Sequence, residues 1–201
     1  RPRVIAACAS CCKTLREALP EVSVVSLWEV LDTECPSLSF REEACCGGVP
    51  TLSIHDPCSA RHDEAWLRSV RSLLSKRGVP FEERRLSGET TPCCGYGGLT
   101  WDANPQLASA IAADRAGQLE HDAVTSCIMC RERLVAEGKP SLHMLDLLYP
   151  GESLHAAATA KGSGLSARRA GRAALRTEVL RRYAGESVAE TADDKSEAKR
   201  S

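Results

Sequence analysis

Eleven of the 201 residues are cysteine, and five of them stand in an order that could hold a metal. Cys58 is followed by 34 residues, the pair Cys93-Cys94, another 32 residues, and then Cys127-Ile128-Met129-Cys130. A C-x-x-C at a strand-to-helix turn offers two thiolates, and the helix amino terminus stabilises their charge and lowers their pKa. Cys93-Cys94-Gly95-Tyr96-Gly97-Gly98 offers two more. Its glycines at 95, 97 and 98 allow close backbone approach and let amides point at sulfur. His55-Asp56-Pro57-Cys58 offers a fifth thiol. Soft thiolates around one small volume are what an iron–sulfur cluster needs.

Three other chemistries compete with that one. Zinc also takes four thiolates, but it is usually served by paired C-x-x-C knuckles in small domains. A metal-free dithiol protein would use Cys127 and Cys130 and leave Cys58, Cys93 and Cys94 without a task. A scaffold lobe with an interaction role alone would need none of them. Visible colour separates the cluster from all three.

Six cysteines remain. Cys8 and Cys11 form a second C-x-x-C. Cys12 and Cys35 read as spare thiols. Cys45-Cys46-Gly47-Gly48 mimics the loop pair but precedes a strand, so it reads as a loop. An odd count with no secretory signal argues against a disulfide framework. His55 is either a proton-transfer group beside the sulfurs or a buried hydrogen bonder. Tyr96 either donates to a sulfur or packs, and His143 reads as structural. His62, His121 and His155 carry no signal.

The elements that must position these residues follow from periodicity and breakers. Val4–Ala7 reads as a strand, Cys8–Leu19 as a helix, Val22–Ser26 as a strand and Leu27–Leu31 as a helical turn. Thr51–His55 reads as a strand and Ala60–Ser75 as an amphipathic helix through Trp66, Val70, Leu73 and Leu74. Val79–Arg85 reads as a strand, and residues 86–98 as a Gly-rich loop. A helix starts at Pro105 and runs to Leu119. Ala123–Ser126 reads as a strand and Ile128–Ala136 as a helix. Alternation of this kind predicts an α/β fold with a parallel sheet, whose sites gather at the carboxyl ends of strands. Cys8, Cys58 and Cys127 all fall at such ends.

The chain also repeats itself. Val4–Cys11 with Leu15 parallels Val124–Cys130 with Leu134, and Leu follows the first Cys by seven residues in both copies. Ser26–Leu31 then parallels His143–Leu148. The repeat predicts two homologous lobes, of which the second has the half carrying Cys58 and Cys93-Cys94.

His55–Cys58, Cys93–Gly98 and Ser126–Cys130 resemble the cysteine-rich CCG domain of the heterodisulfide reductase catalytic subunit. Its relatives include iron–sulfur subunits of glycolate and lactate oxidation complexes. The sequence is most similar to a branch fused to pyridine nucleotide-disulfide oxidoreductase modules. The resemblance implies Rossmann-like lobes, with residues 1–33 the end of an incomplete first repeat. Residues 34–50 would be a linker loop and 51–150 a complete cysteine-rich domain. It also implies a [4Fe–4S] cluster, cubane or noncubane, on Cys58, Cys93, Cys94, Cys127 and Cys130. Cys8 and Cys11 match the first repeat's positions. Such clusters cleave a disulfide by electron transfer. The implied partners are a flavoprotein or ferredoxin and a thiol or disulfide substrate, with FAD or NAD only on a partner or another domain.

Residues 151–167 are Gly, Ala and Ser rich and read as a linker. Residues 168–185 read as a basic amphipathic helix bearing Arg168, Arg169, Arg172, Arg176, Arg181 and Arg182. That face is either solvated or docks on an acidic partner. Residues 186–201 read as disordered. A net charge of −1 and 4% aromatic residues argue against nucleic acid. No apolar run reaches a membrane span's length, and a cytoplasmic location is expected. The start at Arg1 reads as that of a fragment.

Overall fold

The protein is described by a computed structural model covering residues 3–35, 49–149, 151 and 153–184. Cys45, Cys46 and the 186–201 tail therefore lie outside the described residues. The chain divides into two units, residues 1–161 and 162–201.

The first unit opens with β1 (Arg3–Ala6), α1 (Ala9–Ala18), β2 (Ser23–Ser26) and α2 (Leu27–Thr33). β1 and β2 pair in parallel, Ala6 opposite Ser26. The second sheet begins with β3 (Leu52–His55), a 3-10 turn at Cys58–Ala60, α3 (Glu64–Lys76) and β4 (Phe81–Glu82). After a 3-10 turn at Gly88–Thr90 come α4 (Thr100–Ala103), α5 (Pro105–Gln118), β5 (Ala123–Thr125), α6 (Ile128–Ala136), β6 (Ser141–His143), α7 (Met144–Leu148) and α8 (Leu154–Thr159). The strand order is β4-β3-β5-β6, all parallel. The expected α/β class with parallel sheets holds, and so does the C-terminal helix, α9 (Leu165–Ala184), in the second unit.

β3 is buried at all four residues, as a central parallel strand covered on both faces must be. Its polar Ser53 is satisfied: the hydroxyl donates to Glu82 (2.7 Å) and accepts the His121 amide (3.0 Å). The core joins both sheets through Trp28 of α2 and Trp66 of α3, edge to face at 6.0 Å between centroids. The Trp66 indole N–H donates to Ser126 Oγ at 2.9 Å, so this buried aromatic pair reaches the residue before Cys127.

The two C-x-x-C copies have the same local architecture. Cys8 and Cys127 are each the residue before the first helical turn, with extended backbone (φ −105° and −128°). Ser26 and Glu29 close a reciprocal cap on α2, both bonds 3.1 Å. His143 and Asp146 do the same for α7: His143 Nδ1 accepts the Leu145 amide (3.2 Å) and Asp146 accepts the His143 amide (2.8 Å).

Several boundaries differ from those read in the sequence, and three of them have a clear physical cause. α3 begins at Glu64, not Ala60, because Asp63 Oδ1 accepts the Trp66 amide (3.0 Å) and caps the helix there; a tight turn occupies 58–60. The strand expected over 79–85 shrinks to Phe81–Glu82, an edge strand whose ladder ends where the charged run 82–85 begins. The stretch 151–167 carries α8. Alanines favour helix, Ser153 caps it, and Arg131 of α6 donates to the carbonyls of Ala157 and Ala160.

Candidate metal centre

The five predicted ligands arrive from three segments. Cys58 opens the 3-10 turn after β3, with Pro57 fixing an extended approach. Cys93 and Cys94 sit in the loop before α4. Cys127 caps α6, and Cys130 lies in its first turn. The fold brings all five sulfurs together. Cys58 lies close enough to Cys93 to shift its titration, as do Cys93 and Cys94, Cys94 and Cys130, and Cys130 and Cys127. Cys94 and Cys130 are buried, while Cys58, Cys93 and Cys127 are partly open.

Backbone amides converge on this sulfur run. Gly95 N–H donates to Cys93 Sγ at 3.3 Å, and the Gly97 amide does so too. The Tyr96 amide serves Cys94. The amides of Met129 and Cys130, at the start of α6, serve Cys127. The expected glycine donors at 95 and 97 are thus in place. For Cys94 the donor is Tyr96, not Gly98, whose positive φ of 64° turns the chain toward α4. Gly95 has φ +82°, and a Cβ there would run into the Ala108 carbonyl of α5. This is a close approach that only glycine allows.

The thiols are consequently not equivalent. Hydrogen bonds from Cys58 and Cys94 hold Cys93 far below an ordinary thiol, against the effect of burial. The Cys130 thiol and the α6 amides bring Cys127 down to about 6, again against burial. Cys94 is pulled down by Cys130, but its bond to Cys93 and its burial leave it raised to about 11. Cys58, bonded to Cys93, and Cys130, bonded to Cys127, are pushed up. Such a ladder is what shared protons among adjacent sulfurs produce.

His55 is buried beside the sulfurs. A ring nitrogen of His55 and the Sγ atoms of Cys94 and Cys130 lie within 4.8 Å of one another. Burial, with the nearby Arg115 charge, lowers its pKa to about 4. Asp56, the next residue, ties down the far loop. Its Oδ2 accepts the Gly88 amide (2.7 Å) and its carbonyl accepts the Thr91 hydroxyl (3.1 Å).

Cys8 and Cys11 lie at the start of α1. Both are exposed, and a thiol bond to Cys8 raises Cys11. Cys12 is buried in the core, with its pKa raised by burial. Cys35 is half-buried. Tyr96 presents its ring to solvent. His143 is the α7 cap described above, packed on Trp28 at 5.9 Å between centroids. Between α1 and the Cys58 turn lies a cleft of about 550 Å³, with Lys13, Arg16, Cys58, Arg61 and Asp63 in its wall.

Sequence reasoning missed two positioning residues. Arg115 is wholly buried mid-helix and donates from Nε to His55 Nδ1 at 3.0 Å. Arg71 pairs with Asp56 (2.9 Å) and Glu83 (2.8 Å). Neither carries a motif. Only the run of small residues in α5, with Ala108 and Ala112 on its buried face, hints that the helix lies close enough to bury its arginine.

Residues 52–134, β3 through most of α6, match the family model described as CCG, cysteine-rich domain. The chain is similar to a fumarate reductase (CoM/CoB) subunit of Methanothermobacter marburgensis, 25% identical over 158 residues, covering 72% of this chain and 31% of that one. It is also similar to a dihydromethanophenazine:CoB–CoM heterodisulfide reductase subunit of Methanosarcina mazei, 30% identical over 152 residues, covering 70% and 36%. The chain therefore spans about a third of the length of the curated relatives it matches. No solved structure matches. Among the described residues, no helix is long and apolar enough to cross a membrane.

Proposed function

We propose that this chain is an iron–sulfur electron-transfer domain of a heterodisulfide-reductase-like oxidoreductase. Its ligands are Cys58, Cys93, Cys94, Cys127 and Cys130. The observation that carries this reading is that the Sγ atoms of Cys94 and Cys130, from two separate segments, lie within 4.8 Å of one another and of a His55 nitrogen, with Cys58, Cys93 and Cys127 close enough to shift the same titrations. The donor set suits the group. All-sulfur ligation fits iron–sulfur chemistry, and Cys93 and Cys127, lowered by neighbouring thiols and by amides, give up their protons readily to a metal. Two relatives named as reductase subunits support the redox class.

When bound, a [4Fe–4S] cluster, cubane or noncubane, supplies one-electron transfer. The chain's own residues do the rest. The amides of Gly95, Tyr96, Gly97, Met129 and Cys130 hold negative charge on sulfur. Buried Cys94 and Cys130 keep water from the inner side. Partly open Cys58, at the wall of the α1 cleft, faces the route by which a thiol, disulfide or redox partner would arrive. The electron partner is a flavoprotein or ferredoxin. FAD or NAD belongs to a partner or another domain, and neither nucleic acid nor a membrane span is involved. The setting is cytoplasmic.

Anaerobic reconstitution tests the reading. About four irons per chain with matching acid-labile sulfide and a broad brown absorbance are expected, both lost in Cys93→Ser and Cys127→Ser and kept in Cys35→Ser. A colourless chain holding stoichiometric zinc overturns it.

A further inference from the structure

His55 ends the central strand and is 1% exposed. Arg115, 0% exposed, donates from Nε to its Nδ1. A guanidinium can only donate, so Nδ1 offers its lone pair and carries no proton. The proton of the ring therefore sits on Nε2. That atom is buried and has no hydrogen-bond partner among the described residues. A buried N–H left unpaired is costly, and native sites seldom keep one without use. Sulfurs lie beside the ring: a His55 nitrogen and the Sγ atoms of Cys94 and Cys130 fall within 4.8 Å of one another.

We infer that His55, locked in one tautomer by Arg115, is a hydrogen-bond donor to the Cys94 and Cys130 side of the sulfur cage, and not a metal ligand. A nitrogen ligand would need a bare Nε2, hence a proton on Nδ1 facing the Arg115 N–H, and the two donors would collide. An N–H aimed at a ligand sulfur withdraws charge from it and favours the reduced, more negative state of the centre. Arg115 acts through His55 and is a positioning residue. This inference rests on the cluster reading above.

The test uses the full chain, reconstituted with iron and sulfide, in two measurements. Pulsed EPR of unmodified protein labelled with 15N-histidine is expected to show one weak, hydrogen-bond-mediated nitrogen coupling. A strong coupling typical of bound nitrogen, or none at all, overturns the inference. Reduction potentials of His55→Leu and His55→Gln come second. The leucine variant is expected to be reduced about tenfold less favourably, about 59 mV lower for one electron. Glutamine, which restores an N–H, should recover most of that. Equal potentials in all three chains overturn the inference. If the leucine variant does not load, the labelled spectrum and the glutamine variant decide, the latter by a potential near that of the unmodified chain. Unmodified protein that takes up no iron defeats the cluster reading itself, a result distinct from an iron-loaded chain indifferent to residue 55.

Discussion

Arg71 grips Asp56 with both terminal nitrogens, Nη1 to Oδ1 at 3.0 Å and Nη2 to Oδ2 at 2.9 Å. Asp56 is 2% exposed, and its other bonds reach Gly88 and Thr91. The pair thus clamps the segment leading to Cys93 against the segment leading to Cys58. The hydrogen bonds Arg71 makes to Glu83 and Asp56 outweigh the effect of burial and raise the arginine's pKa, so it stays charged. Arg71→Ala leaves a buried carboxylate without its counter-charge, a loss of about 3–5 kcal/mol. Glu83→Ala removes the more exposed arm and should cost about 1 kcal/mol or less. Urea denaturation of both variants measures the difference, and equal midpoints would deny Asp56 its anchoring role.

Thiol reactivity of the metal-free chain should follow the ladder of pKa values. Cys127, at about 6, becomes alkylated along a sigmoid centred near that pH. Cys93, held far lower, reacts at a rate almost independent of pH from about 5 to 9. Buried Cys94 and Cys130 lag behind both. Iodoacetamide labelling mapped by mass spectrometry reads all four at once. A Cys127 that reacts only above about pH 8, like a free thiol, would mean that neither the Cys130 thiol nor the α6 amides act on it.

Gly95→Ala should be severe. The backbone is left-handed there, and the added carbon meets the Ala108 carbonyl. Strain of this kind costs about 1–3 kcal/mol before the clash is counted. Gly97 lacks a positive φ and has only the Cys93 sulfur near its missing side chain, at 3.9 Å. Gly97→Ala should therefore keep most of the stability. Thermal melts of the two variants, with iron uptake beside them, check the contrast. Equal melting points would deny the close approach of this loop to α5.

Acid should weaken the metal-free fold through its buried histidines. Burial lowers His143 below 6.5 and His55 to about 4. Between the folded and unfolded values the unfolded chain binds more protons, so stability rises with pH there. The contribution is complete above about pH 6.5 and is lost as pH falls toward the folded values. His143→Ser installs the capping residue that Ser26 provides in the first copy, and it removes one of the two titrations. The urea midpoint of the variant should fall less between about pH 7 and pH 5 than that of the parent chain. An unchanged slope would mean that His143 titrates normally.

The strand, C-x-x-C, helix grammar was legible because every part of it is local. A β-branched run, a cysteine at the turn and an amphipathic helix need no knowledge of neighbours, and both copies folded as their pattern predicts. The approach of Cys58 to Cys127 was suggested by strand ends alone, since β3 and β5 are adjacent and parallel. What stayed hidden depends on tertiary packing. Arg115 reads as a surface arginine in an alanine-rich helix until Ala108 and Ala112 bring that helix down onto the sheet. Arg71 looks like one more charge on an amphipathic face. α8 was hidden by a composition that serves linkers and short helices equally well.

The scattered origin of the five sulfurs fixes an order of manufacture. Cys58 follows β3, Cys127 and Cys130 follow β5, and the loop pair depends on α5 closing against Gly95. These parts become neighbours only after the sheet has formed. A small metal finger folds around its ion, whereas on the proposed reading this lobe would fold before its cluster is placed. Delivery of metal and sulfide would then act as an inspection step. A correctly folded chain can be filled, and a misfolded one stays empty and can be told apart by that alone.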